Sequence, residues 1–240
     1  MILLTGEDKN RIVLSGRIVQ EPVYSHTAYG EDFFIFRLSV VRRSGKADEI
    51  NVVVSHRLFA SCGCGAQHDE RVRVRGQIRT YNEHADGRMH LRVLVFCRDI
   101  APCTDEICDE NSLVIDGFLC RPPVRRTSPL GRELCDLMLA VNRPYGKSDY
   151  IPCIVWGRNA SFAASLTVGC RVRLSGRFQS RDYRKLTSCG EYEMRRAYEV
   201  SANVIEVFSR SKNLCSHIKR LLKKPDNIRR TGQNNRYSEY

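Results

Sequence analysis

Through much of the chain, hydrophobic and polar positions alternate with a period of two. Over 171–178, Val172, Leu174 and Gly176 alternate with Arg171, Arg173 and Arg177, the pattern of a strand with one buried and one wet face. Segments 135–141, 150–156 and 197–207 read as strands too, and 113–119 is an apolar run broken by Asp116-Gly117. A glycine inside a strand predicts a bulge or a sharp bend there. Between the third and fourth of these strands, Asn159 heads a stretch of helix-tolerant residues, predicting a short helix over 159–166.

The same pattern occurs twice. At an offset of 101, Asn10, Val13, Gly16, Pro22, Gly30, Leu38 and Val40 fall on Asn111, Val114, Gly117, Pro123, Gly131, Leu139 and Val141. Arg42, Gly45, Lys46, Asp48 and Ile50 continue onto Arg143, Gly146, Lys147, Asp149 and Ile151. Farther on the offset becomes 100, where Arg71-Val72-Arg73 and Gly76 meet Arg171-Val172-Arg173 and Gly176. A unit of about 100 residues is too long for a solenoid repeat of about 20–50, so two similar domains are expected. Five strands with a helix between the third and fourth is the order of an oligonucleotide/oligosaccharide-binding (OB) barrel. The expected fold is therefore mainly all-β: two tandem five-stranded OB-fold barrels, each with a short helix. They would span 1–104 and 111–208, with an acidic linker at 105–110. Residues 209–240 would form a basic tail, disordered or partly helical over 216–224.

Composition narrows the function classes. Of 240 residues 42% are hydrophobic and 28% charged, as in ordinary globular chains. No apolar run approaches the about 18 residues of a membrane span, and Ile2-Leu3-Leu4 is too short for a signal peptide, so membrane and secreted classes are not expected. Eleven cysteines without such a signal read as reduced thiols of a cytoplasmic, nucleoid-associated protein. Cys62-Gly-Cys64 and the spaced Cys97, Cys103 and Cys108 form no CxxC pair, and the histidines show no paired-ligand spacing; neither metal nor cofactor is expected. With no phosphate loop, nucleophile elbow or HExxH, an enzyme is the least supported class.

Charge supplies the positive clue. The net +12 divides into −1 for residues 1–110, +6 for 111–208 and +7 for 209–240, and 31 of the 39 cations are arginine. Guanidinium groups fork onto phosphates and stack on bases, which favours nucleic acid as the polyanionic partner.

The second unit resembles the bacterial single-stranded-DNA-binding (SSB) protein family, and the whole chain its tandem-OB subgroup. The landmarks are Asn111, Val114, Gly117, Pro123, Gly131, Asp149-Tyr150-Ile151, Trp156-Gly157-Arg158-Asn159-Ala160, Val168-Gly169-Cys170-Arg171-Val172, Gly176-Arg177 and Tyr198-Glu199-Val200. The resemblance implies sequence-tolerant binding of single-stranded DNA in replication, recombination or repair. It places base stacking on Tyr145, Tyr150, Trp156 and Tyr183. Arg143, Lys147, Arg158, Arg173, Arg177, Arg181 and Arg184 lie around them as phosphate ligands. In the first unit these aromatic positions read Ser44, Ile50 and Ser55, with Tyr81 near the Tyr183 match, implying a weak or non-binding barrel. A homo-oligomer, two chains presenting four barrels, is expected as well. Family members recruit replication and repair proteins through an acidic tip; residues 232–240 hold no acidic cluster to carry that role. Two rivals stay open, a primosome-accessory or other protein-interaction OB protein and an RNA-binding OB module.

Overall fold

The computed structural model describes residues 9–208 except 66, 86, 105–108 and 187–189. The expectation for the 209–240 tail lies outside the described residues. The first repeat runs β1 (Asn10–Ala28), β2 (Glu31–Val41), β3 (Ala47–Ser55), α1 (His56–Ser61), β4 (Arg71–Ala85) and β5 (Arg88–Pro102). The second runs β6 (Glu110–Leu119), β7 (Val124–Thr127), β8 (Glu133–Asn142), β9 (Ser148–Trp156), α2 (Arg158–Ala163), β10 (Arg171–Leu186) and β11 (Tyr192–Phe208). Each repeat closes into a five-stranded barrel, the first through β1–β2 and the second through β6–β8. Alternation works as read: Val172 and Leu174 are fully buried between half-buried arginines, and so are Val72 and Val74 in the first barrel.

Several details depart from expectation. The short edge strand β7 has all four residues exposed and so carries no apolar period. Helix α2 spans only six residues. Gly117 makes no bulge, since β6 pairs with β10 without interruption. It marks a close approach instead: a Cβ there would lie 2.8 Å from the Ala140 carbonyl oxygen. The register shift sits at Gly176, and at Gly76 in the first barrel, where a Cβ would come within 2.2 and 2.3 Å of a facing carbonyl.

Strand β1 does more than close its own barrel. It pairs antiparallel with β6, Ile12 opposite Leu113, so one eleven-stranded sheet runs through both barrels. Ile12 and Leu113 are themselves repeat mates, and the pairing is symmetric about them: Asn10 faces Ile115 as Leu14 faces Asn111. Where the β1–β4 ladder stops, the Asn10 side-chain amide takes its place. It donates to the Ile78 carbonyl (2.8 Å) and accepts from the Ile78 amide (2.9 Å). Asn111 does the same with Phe178 (2.6 and 2.9 Å). The expected linker is partly structural. Asp109 accepts from Arg71 and from the Val41 amide, and Glu110 already belongs to β6.

The hairpins β4–β5 and β10–β11 are long, and each reaches across to the other barrel. Asp149 at the start of β9 is fully buried and accepts from the Thr80 amide of β4 (2.5 Å). The Tyr150 amide donates to Thr80 Oγ1 (3.0 Å). The mirror contacts join Asp48 to the Ser180 amide (2.9 Å) and the Glu49 amide to Ser180 Oγ (3.0 Å). Taking a carboxylate out of water costs several kcal/mol unless it is paired. Each is met by an arginine fork, Asp48 by Arg42 (2.6 and 2.5 Å) and Asp149 by Arg143, with Arg79 adding a 3.1 Å contact to Asp149.

Asp149→Ala would leave two guanidinium groups facing each other and the Thr80 amide unmet. A loss of about 3–5 kcal/mol is expected in a urea titration. Arg125→Ala, which removes a half-exposed pair with Glu133, should change stability by at most about 1 kcal/mol.

Candidate nucleic-acid interface

The outer wall of the second barrel is built by alternation on β9, β10 and β11. On β9, Asp149, Ile151, Cys153 and Val155 point to the core, which leaves Tyr150 and Trp156 outside. Trp156 is half-buried, and its Nε1 donates to Ser201 Oγ on β11 (3.1 Å), so the ring is held by its polar edge. Gly157 follows with φ +58°, a left-handed turn that sends the chain into α2. That turn places Arg158 beside the indole. Arg132, Glu133, Trp156, Gly157, Arg158 and Ser161 line one recess, with both arginines exposed. Arg132 is absent from the sequence-based set, because only the recess brings the loop before β8 to the end of β9.

Tyr150 is half-exposed opposite Ala140. It lies six residues before Trp156, about 20 Å along the strand. Tyr183 is half-buried on the outer arm of β10, with the Arg181 guanidinium 5.7 Å from its ring centre and Arg184 exposed next to it. Arg177 faces Ser201, the partner of Trp156, and Tyr183 is six residues beyond it, again about 20 Å away. The aromatics therefore make separate stations along the wall rather than one platform. Tyr145 lies in the 3-10 turn Pro144–Gly146.

The arginines divide into two groups. Lys147, Arg158, Arg181 and Arg184 are exposed. Arg143 is engaged elsewhere: its fork closes on buried Asp149, and Nη2 also donates to the Thr80 carbonyl (2.9 Å). Sequence adjacency to Tyr145 suggested a phosphate ligand, but the structure gives Arg143 to the junction between barrels. Arg173 contacts Asp116 at 3.4 Å and lies 5.2 Å from the Phe208 ring centre. Arg177 is intermediate. Nη2 donates to Gln179 (3.1 Å), and Nε is buried without a partner among the described residues. Burial, with the charge of Arg42 added, lowers its pKa below the ordinary guanidinium value.

The first barrel shows how the repeats diverged. Backbone contacts identify the counterpart of Tyr150 as Glu49, not Ile50, since the Glu49 amide meets Ser180 Oγ as the Tyr150 amide meets Thr80 Oγ1. Glu49 pairs with Arg196 and lies 3.5 Å from Arg37, so a carboxylate stands where the second barrel offers an aromatic ring. Elsewhere, burial raises the Cys97 thiol to about 12, and no group of three His, Cys, Asp or Glu among the described residues is placed to hold a metal.

Two closed five-stranded barrels on a shared sheet, with aromatic rings and arginines on one outer wall, define a tandem OB-fold protein. The single-strand binding protein family model matches residues 9–102 and 110–208, and the chain belongs to that family. The matches coincide with the two barrels. A single-stranded DNA-binding protein of Halalkalibacterium halodurans is 36% identical over 80 residues, covering 30% of this chain and 48% of the relative. One of Oceanobacillus iheyensis is 34% identical over 80 residues, covering 30% and 50%. The chain spans about half the length of the curated relatives it matches. In fold it is similar to the crystal structure of the wild-type single-stranded DNA binding protein from Thermus aquaticus. There the TM-score is 0.67 at 21% identity, over 84% of this chain and 94% of the other.

Proposed function

We propose that the protein binds single-stranded DNA without sequence readout, in support of replication, recombination or repair. The observation that carries this reading is Trp156, an indole fixed by Ser201 in a recess flanked by Arg132 and Arg158. An aromatic face between cations is what a base and its phosphates require. Tyr150 and Tyr183 extend the path, and the side chain of Tyr145 lies outside the described residues. Lys147, Arg158, Arg181 and Arg184 take phosphates in solvent, and Arg177 takes one from a half-buried position. Arg143 and Arg173 serve by holding the wall in shape. Affinity resides mainly in the second barrel and the basic segment after it, the parts that carry +6 and +7.

Two chains together present four barrels in this reading. The β1 and β6 edges are used up within one chain, so a second chain joins through another face. Light scattering on the eluting peak should give the mass of two chains, and a mass of one or of four would refute it.

Trp156 is the chain's one tryptophan, so its fluorescence reports this wall alone. Oligo-dT should quench it, and Trp156→Ala should weaken binding about 5- to 150-fold, the loss of one stacked base. A purely structural Trp156 predicts the reverse: a lower melting temperature, and emission that oligo-dT leaves alone. Arg158→Ala should flatten the slope of log affinity against log salt by about 0.7, the share of one phosphate on a single strand. An unchanged slope would remove Arg158 from the path.

A further inference from the structure

The first barrel lacks a tryptophan at the end of its third strand, yet its outer wall carries four planar groups in a row. His26 on β1 lies flat against Phe33 of β2, ring centres 5.0 Å apart and planes 11° apart. Phe33 leans on Phe96 of β5 at 5.9 Å and 41°. The Arg98 guanidinium stands 5.8 Å from the centre of the Phe96 ring. Phe33 and Phe96 are half-buried, and His26 and Arg98 are exposed. The row is thus anchored in the middle and open at both ends.

Register shows what the row replaces. Phe33 stands opposite Ser55, and Phe96 pairs with Val53 in the parallel ladder. The same places in the second barrel hold Leu134 opposite Trp156, and Ser201 paired with Ile154. In one barrel a single ring at the end of a strand stands opposite a leucine and hydrogen-bonds a serine. In the other a serine at that end sits between two phenylalanines on the flanking strands. The aromatic surface has moved sideways by one strand and has not been lost. Phe33 and Phe96 lie outside the hydrophobic core and pack on each other. His26 stands directly opposite Phe33 in the β1–β2 ladder, with Ser25 Oγ 3.0 Å from its Nδ1, and its ring lies parallel on Phe33 while staying exposed. Of the carboxylates near the row, Glu31 is paired with Arg57 (3.1 Å) and Asp99 with Arg75 (3.7 Å), which reduces their repulsion of a polyanion, while Asp32 accepts from Thr27 and keeps its charge.

We propose that the His26–Phe33–Phe96–Arg98 row is a second base-stacking station, taking one or two bases of a single strand whose main hold is the Trp156 wall. Stacking on a ring face is sequence-tolerant, and Arg98 supplies the cation for a neighbouring base or phosphate. The proposal rests on the single-strand binding reading, and the experiment separates the two. Trp156 emission is titrated with oligo-dT of about 8 and about 32 nucleotides, the shorter within the reach of one OB barrel. The wild-type chain is compared with His26→Ala, which removes an exposed ring and leaves the core intact. The short strand should bind both proteins alike. The long strand should bind the variant about 5-fold or more weakly. Iodouracil-substituted long strands should cross-link to the peptides holding His26, Phe33 or Phe96 as well as to the Trp156 wall. Normal quenching, equal long-strand affinity and cross-links confined to 110–208 would overturn the station alone and leave the row to a protein partner. No binding of either strand by the wild-type chain would overturn the reading beneath it as well.

Discussion

Two buried carboxylates hold the molecule together. Asp48 and Asp149 have no exposed surface, and neither finds all its partners inside its own barrel. Each takes an arginine fork from its own side and a backbone amide from the long hairpin of the other. Separating the barrels would leave each carboxylate only its own arginine fork and strip it of the backbone amide it meets across the junction, a larger cost than breaking exposed pairs such as Arg125–Glu133. The β1–β6 ladder sets the register of the junction, and the carboxylates lock the arms that cross it.

That locked junction is symmetric, and the walls it carries are not. Asn10 and Asn111, Asp48 and Asp149, Thr80 and Ser180 repeat the same contacts on both sides. Away from them the repeats part: Tyr150 answers to Glu49, Trp156 to Ser55, and Phe33 to Leu134. Duplication within one chain permits this. In a pair of identical chains every substitution on a wall appears twice, whereas here each wall changes alone while the junction stays constant.

The two-barrel architecture was legible because its signals are local or repetitive. Alternation exposed the strands and the offset exposed the duplication. β7 escaped because an exposed edge strand has no apolar period. The proposed wall is marked in the sequence where a family motif falls on the surface, at Trp156-Gly157-Arg158. It was illegible where a residue's partner lies far off in sequence. Arg143 read as a phosphate ligand because nothing in the sequence shows that Asp149, six residues on, is buried. Only the arm from β4 buries it. His26, Phe33 and Phe96 carried no signal of a cluster, since three strands must assemble before their rings meet.

The ladder at Ile12 and Leu113 has a consequence for direction. An antiparallel pairing of repeat mates relates the barrels by a half-turn, so equivalent walls run in opposite senses. A nucleic-acid strand has polarity. Laid straight across the junction, it would meet one wall head-first and the other tail-first. Two identical walls would therefore force it to loop back, or to be held wrongly on one side. Walls that differ, one carrying a tryptophan at a strand end and the other a lateral row of rings, would free such a strand from that choice.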